Sequence, residues 1–457
     1  MLRHRRSTAF QDTLVMVMAG GRGERLYPLT RDRTKGAVPF GGQYRLIDFT
    51  LSNCVNSDLC RICVLPQYKS ASLERHLRLG WSFLRPERNE GIEVLPPQQR
   101  VDEHWYRGTA DAVYQNIYTL RQYAPAQTLI LSSDHLYRMD YRLLLEHHLQ
   151  AGAELTIACM SADLGEARRF GVIQAAPDGQ VVGFEEKPAH PKPMLGCPGR
   201  ALVSMGIYVF DTQVLIDLLE EDAAQVQSSR DFGRDIIPRM VREHRRVQAC
   251  DVAATQGEGG FYWRDIGLVD AYWEASMDLL GERPAFSLYQ PDWPLYTWQQ
   301  ALPPARLVQT GQSTEVADSL VCPGVVIEGA RVHRAILSPG VEIGYRAEVY
   351  DSVLMDGVKV GPGARLHRVI IDKGVVVPPG VELGINPEAD RQRFTLTPGE
   401  VVVLGKDTRL DRDGSNQETP LSEEAIEAAE SLLLPRLYGQ PFRPGIACGG
   451  ASDKIAS

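Results

Sequence analysis

Residues 14–23 read Leu-Val-Met-Val-Met-Ala-Gly-Gly-Arg-Gly: an apolar, strand-like run that empties into Gly20, Gly21 and Gly23. Arg22, Arg25, Arg31, Arg33 and Lys35 follow closely. Glycines let a backbone approach an anion and turn its N–H groups toward it, and Arg and Lys neutralise phosphate charge. In a chain of net charge −9, so concentrated a cationic loop points to a local polyphosphate site. Two familiar phosphate loops do not fit. Gly21-x-Gly23-x-x-Leu26 lacks the third glycine of a dinucleotide fingerprint, and no Gly-Lys-Ser/Thr completes a P-loop.

The elements that must hold this loop alternate. Apolar runs at 14–19, 62–65, 128–132, 155–160 and 202–210 are separated by helix-like stretches such as 110–123 (Ala112, Val113, Ile117 and Leu120 inward) and 140–150. This pattern predicts a Rossmann-like α/β domain with a mixed, mostly parallel sheet covered on both faces. Ligands in such folds bind beyond the C-terminal strand ends, where the glycine loop and Ser132-Ser-Asp134 would both sit. Residues 291–315 hold Pro291, Pro294, Pro303 and Pro304 without periodicity and read as a linker. Beyond them Gly-Val-x-(Ile/Val/Leu) recurs from Gly324, Gly340, Gly357, Gly374 and Gly380. The first four starts are 16, 17 and 17 residues apart, close to three hexapeptides, which predicts a left-handed parallel β-helix. The expected organisation is a basic tail at 1–12, the α/β domain at 13–290, the linker at 291–315, the β-helix with a C-terminal extension at 316–435, and a flexible tail at 436–457. A short acidic helix is expected at 421–434.

Composition narrows the class. The 457 residues exceed one ordinary core, and 44% hydrophobic with 23% charged residues suits a globular protein. The acidic balance argues against a nucleic-acid partner, and no apolar run approaches membrane-spanning length. The N-terminal arginines precede too short an apolar run for a secretory signal, so a cytoplasmic protein is expected. Eight scattered cysteines offer no metal-ligand spacing and read as reduced thiols.

The string Gly-Gly-x-Gly-x-Arg-Leu-x-Pro-Leu-Thr (20–30), with Lys35 beyond it, resembles the signature of the sugar nucleotidyltransferases. Further strings occur in series: Ser52–Ser57, Gln67-Tyr68, Trp105–Ala112, Ser133–Tyr137, Phe170–Val172, Glu185–Pro188, Ser204–Phe210, Asp231–Gly233 and Tyr262–Asp265. Together with the β-helix they resemble the bacterial glucose-1-phosphate adenylyltransferases over roughly residues 13–435. The alternatives are a sibling pyrophosphorylase using another nucleoside triphosphate, or a regulatory subunit that has lost catalysis.

The resemblance implies a reaction and a cast. A phosphate oxygen of glucose 1-phosphate attacks the α-phosphorus of ATP, pyrophosphate leaves, and catalysis is largely positioning and charge neutralisation. Gly20, Gly21, Gly23, Arg25, Lys35 and Gln67 are expected at ATP, with Arg25, Lys35 and Asp134 catalytic. Asp134 and Asp265 are the expected Mg²⁺ ligands, although an aspartate after a strand, taken alone, more often caps a helix. Tyr106, Gly171, Glu186, Lys187, Ser204 and Asp231 are expected at glucose 1-phosphate. Gln67 and Trp105 would couple regulation to catalysis. Arg31, Arg33 and Arg45, with Arg3, Arg5 and Arg6, are candidates for an anionic effector site, and a homotetramer is expected. Gly36 stands where relatives often carry proline and should loosen the loop. Asp32 stands where some carry a lysine.

Overall fold

The computed structural model describes residues 10, 12–98, 104–255, 261–309, 311, 313–411 and 414. Arg3, Arg5 and Arg6, the helix expected at 421–434 and the tail from 436 lie outside them.

Among the described residues the first domain is built on a nine-stranded mixed sheet. Its strands are β1 (Thr13–Ala19), β2 (Arg61–Pro66), β3 (Gly91–Val94), β4 (Gln127–Ser132), β5 (Leu155–Asp163), β6 (Gly171–Ala175), β7 (Val181–Glu186), β8 (Arg200–Asp211) and β9 (Val247–Asp251). β1 lies parallel between β2 and β4, and β3 extends the parallel part beyond β2. The long β8 runs antiparallel to β4, β5 and β6, and carries a register shift between Ser204 and Tyr208. Val15 and Val17 belong to one buried cluster and Leu14 and Met16 to another, so alternate residues of β1 feed layers on opposite faces of the sheet. The stretch expected as one helix at 110–123 is two, Thr109–Tyr114 and Ile117–Tyr123. At the break, the Asn116 amide donates to the Ala112 carbonyl (2.8 Å) and to the Tyr106 hydroxyl (2.9 Å). Such side-chain bonds compete with continuous helix.

The second domain is a three-sided parallel β-helix whose coils stack in register. One column reads Ile327, Ile343, Val360, Val377 and another Val332, Val349, Leu366, Leu383. These side chains are buried in the β-helix core, each contributing about 1.5–3 kcal/mol of apolar burial. The repeated glycines sit at corners: Gly324, Gly340, Gly357 and Gly374 all have φ between 69° and 77°, a region only glycine enters freely. Outward positions of the second side alternate in charge from coil to coil: Glu315, Arg331, Glu348, Arg365, Glu382. The third side is different. It carries apolar doublets, Ile336-Leu337, Val353-Leu354, Ile370-Ile371 and Val403-Leu404, with one member facing the β-helix core and the other facing the first domain.

That outer apolar face is where the domains join. Ile336, Val353, Met355, Ile370, Val401 and Val403 share one buried cluster with residues of the first domain such as Leu29, Phe40, Phe49 and Tyr272. Polar ties frame it: the Trp273 indole N–H donates to the Asp351 carbonyl (2.8 Å), and Asp270 accepts from Thr397 Oγ1 and the Gly399 N–H. The expected linker is ordered against these elements. Trp293 Nε1 donates to Asn53, Thr297 Oγ1 to Asp48 and the Tyr296 N–H to Ser52, all on the helix Leu46–Asn56. Its end already belongs to the β-helix, because Arg306–Val308 pairs with Val326–Glu328. Arg-Leu-Val carries no Gly-Val signature, so the repeat pattern conceals this first coil.

Candidate active site

The glycine loop leaves β1 at its C-terminal end. Gly23 has φ +67°, and its carbonyl accepts from Thr30 Oγ1 at 2.8 Å, closing the loop on itself. Gly20 lies against the buried Gln67, where an added Cβ would come within 3.3 Å. Arg22 and Arg25 are exposed on the loop. Arg22 lies over the Tyr68 ring at 5.3 Å, and Tyr68 stacks on Trp105 with centroids 5.0 Å apart and planes 3° from parallel. Trp105 is 54% exposed, so this pair forms an aromatic wall beside the loop rather than core. Tyr68 carried no signal of its own beyond its place next to Gln67.

Lys35 opens the turn Lys35–Ala37 and reaches two carboxylates: Nζ is 2.6 Å from Asp134 Oδ2 and 3.4 Å from Asp265 Oδ1. Asp134 follows β4, and Asp265 ends the strand Trp263–Asp265, which pairs with His135–Tyr137. Burial alone would raise the Asp134 carboxyl. The Lys35 ammonium, the neighbouring His135 and the Ser132 hydroxyl together hold it below the ordinary range. Burial likewise opposes the Lys35 charge, yet Asp134 and Asp265 outweigh it and raise the ammonium, against a smaller repulsion from Arg25. His135 Nε2 stands 3.7 Å from Asp134 and 4.0 Å from Asp265. Two carboxylates converging on one cation from different strands form a donor set suited to a hard divalent ion. Gly36, expected to loosen the loop, is tightly packed. It is buried against Ser133, and an added Cβ would lie 2.9 Å from Ser133 Oγ.

The remaining predicted residues line a second region reached through β8. Gly206, in its register shift, has φ +68°, and an added Cβ there would lie 3.4 Å from the His135 ring. Its N–H donates to Ser204 Oγ (3.2 Å), which also lies 3.3 Å from the Tyr208 hydroxyl. Glu186 at the end of β7 pairs with Lys187 at 3.1 Å. Its carboxylate presses on Gly171 and Gly233, where added Cβ atoms would come within 2.9 and 2.6 Å. At Gly171 the Phe184 ring would lie closer still to such a Cβ. The Lys187 side chain is 56% exposed and free to reach outward. Two assignments meet competition from the scaffold. The Tyr106 hydroxyl donates to the Leu95 carbonyl and accepts from Asn116, while Asp231 caps Gly233 and Arg234 and accepts from Thr109.

The sequence matches known protein families over both domains. A nucleotidyl transferase family model matches residues 14–282, and the model described as "GlmU-like, C-terminal hexapeptide" matches residues 303–404, in keeping with a left-handed β-helix. The glucose-1-phosphate adenylyltransferase 1 of Alkalilimnicola ehrlichii is 50% identical over 397 residues, covering 86% of this chain and 94% of the relative. The chain belongs to the glucose-1-phosphate adenylyltransferase family. The glucose-1-phosphate adenylyltransferases of Albidiferax ferrireducens, 48% identical across 86% of this chain and 94% of that relative, and of Methylobacillus flagellatus, 45% identical across 88% and 95%, are similar to it as well. In this family setting the three expected effector arginines diverge. Arg33 is enclosed and paired with Asp372, and Arg31 bonds Asp32 and the Lys406 carbonyl. Only Arg45 lines the cleft between the domains, where Lys373, which the sequence did not single out, joins it. No helix among the described residues is long and apolar enough to cross a membrane.

Proposed function

We propose that this protein transfers the adenylyl group of ATP to glucose 1-phosphate, releasing pyrophosphate and forming ADP-glucose for glycogen synthesis. The observation that carries the reading is the convergence of Lys35, Asp134 and Asp265 beside the glycine loop. The loop N–H groups and Arg25 receive the triphosphate, and Lys35 stabilises charge on the departing pyrophosphate. Asp134 and Asp265 are the residues that would hold Mg²⁺, which supplies neutralisation of the triphosphate. Lys187 and Glu186 orient the sugar phosphate, with Ser204 and Gly171 shaping the floor between them. The hydroxyl of Tyr106 and the carboxylate of Asp231 contribute mainly by fixing that floor. Gln67 and the exposed Trp105 border the nucleotide side.

The reading extends to regulation. Arg45 and Lys373 face one cleft with Tyr44, Gln299, Gln300 and Asp356, which pairs with the Lys373 ammonium. Burial lowers both cations; Asp48 and Asp356 pull Arg45 back up, Asp356 pulls Lys373 back up, and repulsion from Arg33 adds to the lowering of each. An anionic metabolite would relieve that repulsion and bind there, less tightly as salt rises. A homotetramer and a cytoplasmic setting complete the reading; among the described residues six cysteines are buried thiols, whereas Cys197, expected to be reduced like the rest, is disulfide-bonded. Pyrophosphate release with glucose 1-phosphate and each of four nucleoside triphosphates tests it. Activity confined to ATP is expected, and preference for another base would move the protein to a sibling class.

A further inference from the structure

Arg33 Nη2 lies 3.0 Å from each carboxylate oxygen of Asp372, and the two side chains are only 5% and 1% exposed. Asp372 follows the β-helix strand Val369–Ile371 and is fixed there. Its N–H donates to the Leu404 carbonyl (3.0 Å), and its Oδ1 accepts from the Lys373 N–H (2.7 Å). Arg33 is not a spare cation at a cleft. It is the end of a three-residue tether. Thr34 Oγ1 donates to the Ala19 carbonyl at the end of β1 (2.9 Å), and Lys35 reaches Asp134 and Asp265. The Cα atoms of residues 33 and 35 are at most about 7 Å apart, so a displacement of the Arg33 backbone bears directly on the segment that carries Lys35.

We propose that Asp372, on the β-helix, is a positioning residue for adenylyl transfer: through Arg33 it holds the Lys35 ammonium against the two carboxylates. This rests on the function proposed above and adds that the chemistry depends on one charged group of the second domain. A lone arginine left buried by removal of its partner is strongly disfavoured, so it would swing toward solvent and carry the tether with it.

The test uses the full chain. Asp372→Asn keeps the shape and removes the charge. Expected are a fall in kcat of about tenfold or more, from misplacement of a reacting group, and an unchanged KM for glucose 1-phosphate. The second readout needs no activity. Competitive acetylation with acetic anhydride, read by mass spectrometry, should show Lys35 becoming several-fold more reactive as it leaves its carboxylates. Trp273→Phe deletes another interdomain hydrogen bond, that to Asp351, and should change neither value. Should Asp372→Asn not fold, Arg33→Lys, which keeps the charge on a shorter side chain that ends short of where Nη2 meets Asp372, is expected to show the same two changes. A folded variant with wild-type kcat and wild-type Lys35 labelling overturns the proposal. A wild-type protein that releases no pyrophosphate, while the labelling change still appears, overturns the function instead.

Discussion

Substituting Gly36 by alanine isolates one steric contact at the centre of the site. The Gly36 backbone does not occupy the left-handed region, so alanine meets no conformational penalty there. Its Cβ would lie 2.9 Å from Ser133 Oγ, 3.1 Å from Ser133 Cβ and 3.4 Å from the Ser133 carbonyl. Ordinary contact begins near the last of these values, so the two segments must part by about 0.3–0.5 Å, a mild overpacking that costs about 1–3 kcal/mol. Lys35 precedes Gly36 and Asp134 follows Ser133, and their 2.6 Å ion pair spans the same gap. A shift of that size predicts a loss in kcat of about tenfold, with binding of glucose 1-phosphate unaffected. Adding Ser133→Gly removes both close atoms, so of those three only the Ser133 carbonyl at 3.4 Å remains. The double variant should therefore recover most of the turnover. Steady-state pyrophosphate release on wild type, both single variants and the double variant decides the matter. Full activity in Gly36→Ala, or no recovery in the double variant, would refute the steric argument.

Other perturbations separate the remaining roles. Asp134→Asn should lower turnover by about three powers of ten, because an amide keeps the shape but not the charge that would hold a metal; near-normal turnover at saturating Mg²⁺ would remove Asp134 from that role. Lys187→Ala should raise KM for glucose 1-phosphate about ten- to a hundredfold and leave that for ATP alone, the size expected of one charge-assisted bond to phosphate; parallel changes in both constants would place Lys187 elsewhere. Burial pushes His148 down to about 4, with smaller effects from Asp211 and His147. The unfolded chain then takes up the proton first, so stability that is full above about pH 6.5 should fall by about 2.5 kcal/mol on reaching pH 4.5. Urea midpoints across that range should drop less in His148→Gln, and identical pH profiles would count against the assignment.

What could be seen in the sequence was what is written locally. A glycine loop crowded with arginine announces phosphate because several residues in succession state the same chemistry, and the β-helix repeats its corner glycine every 16 or 17 residues. The pairings that tune the site are not local. Arg33 meets Asp372 and Gly36 meets Ser133 only after the sheet and the coils have formed, and nothing in either pair's sequence neighbourhood names its partner. Arg33 therefore read as a candidate for an anionic effector site although it is enclosed against Asp372. Gly36 read as a loosening of the loop although it closes the gap to Ser133. The helix break at Asn116 was hidden for a different reason: apolar spacing alone does not report a side chain that bonds backward to Ala112. One signal was present and could have been used. The doublets Ile336-Leu337, Val353-Leu354 and Ile370-Ile371 break the in–out alternation of an exposed strand, and that departure marks the side covered by the first domain.

Those doublets also bear on how the chain can be divided. Because their outer members and residues such as Leu29, Phe40 and Tyr272 occupy one buried cluster, neither domain owns all the surface it needs to hide. A fragment ending near residue 290 would present that face to solvent and be prone to aggregate, so the two domains should melt in a single calorimetric transition. The same reasoning governs recombination. A β-helix borrowed from a relative will be accepted according to how well its third side matches this apolar face, residue by residue, more than by the overall similarity of the two coils.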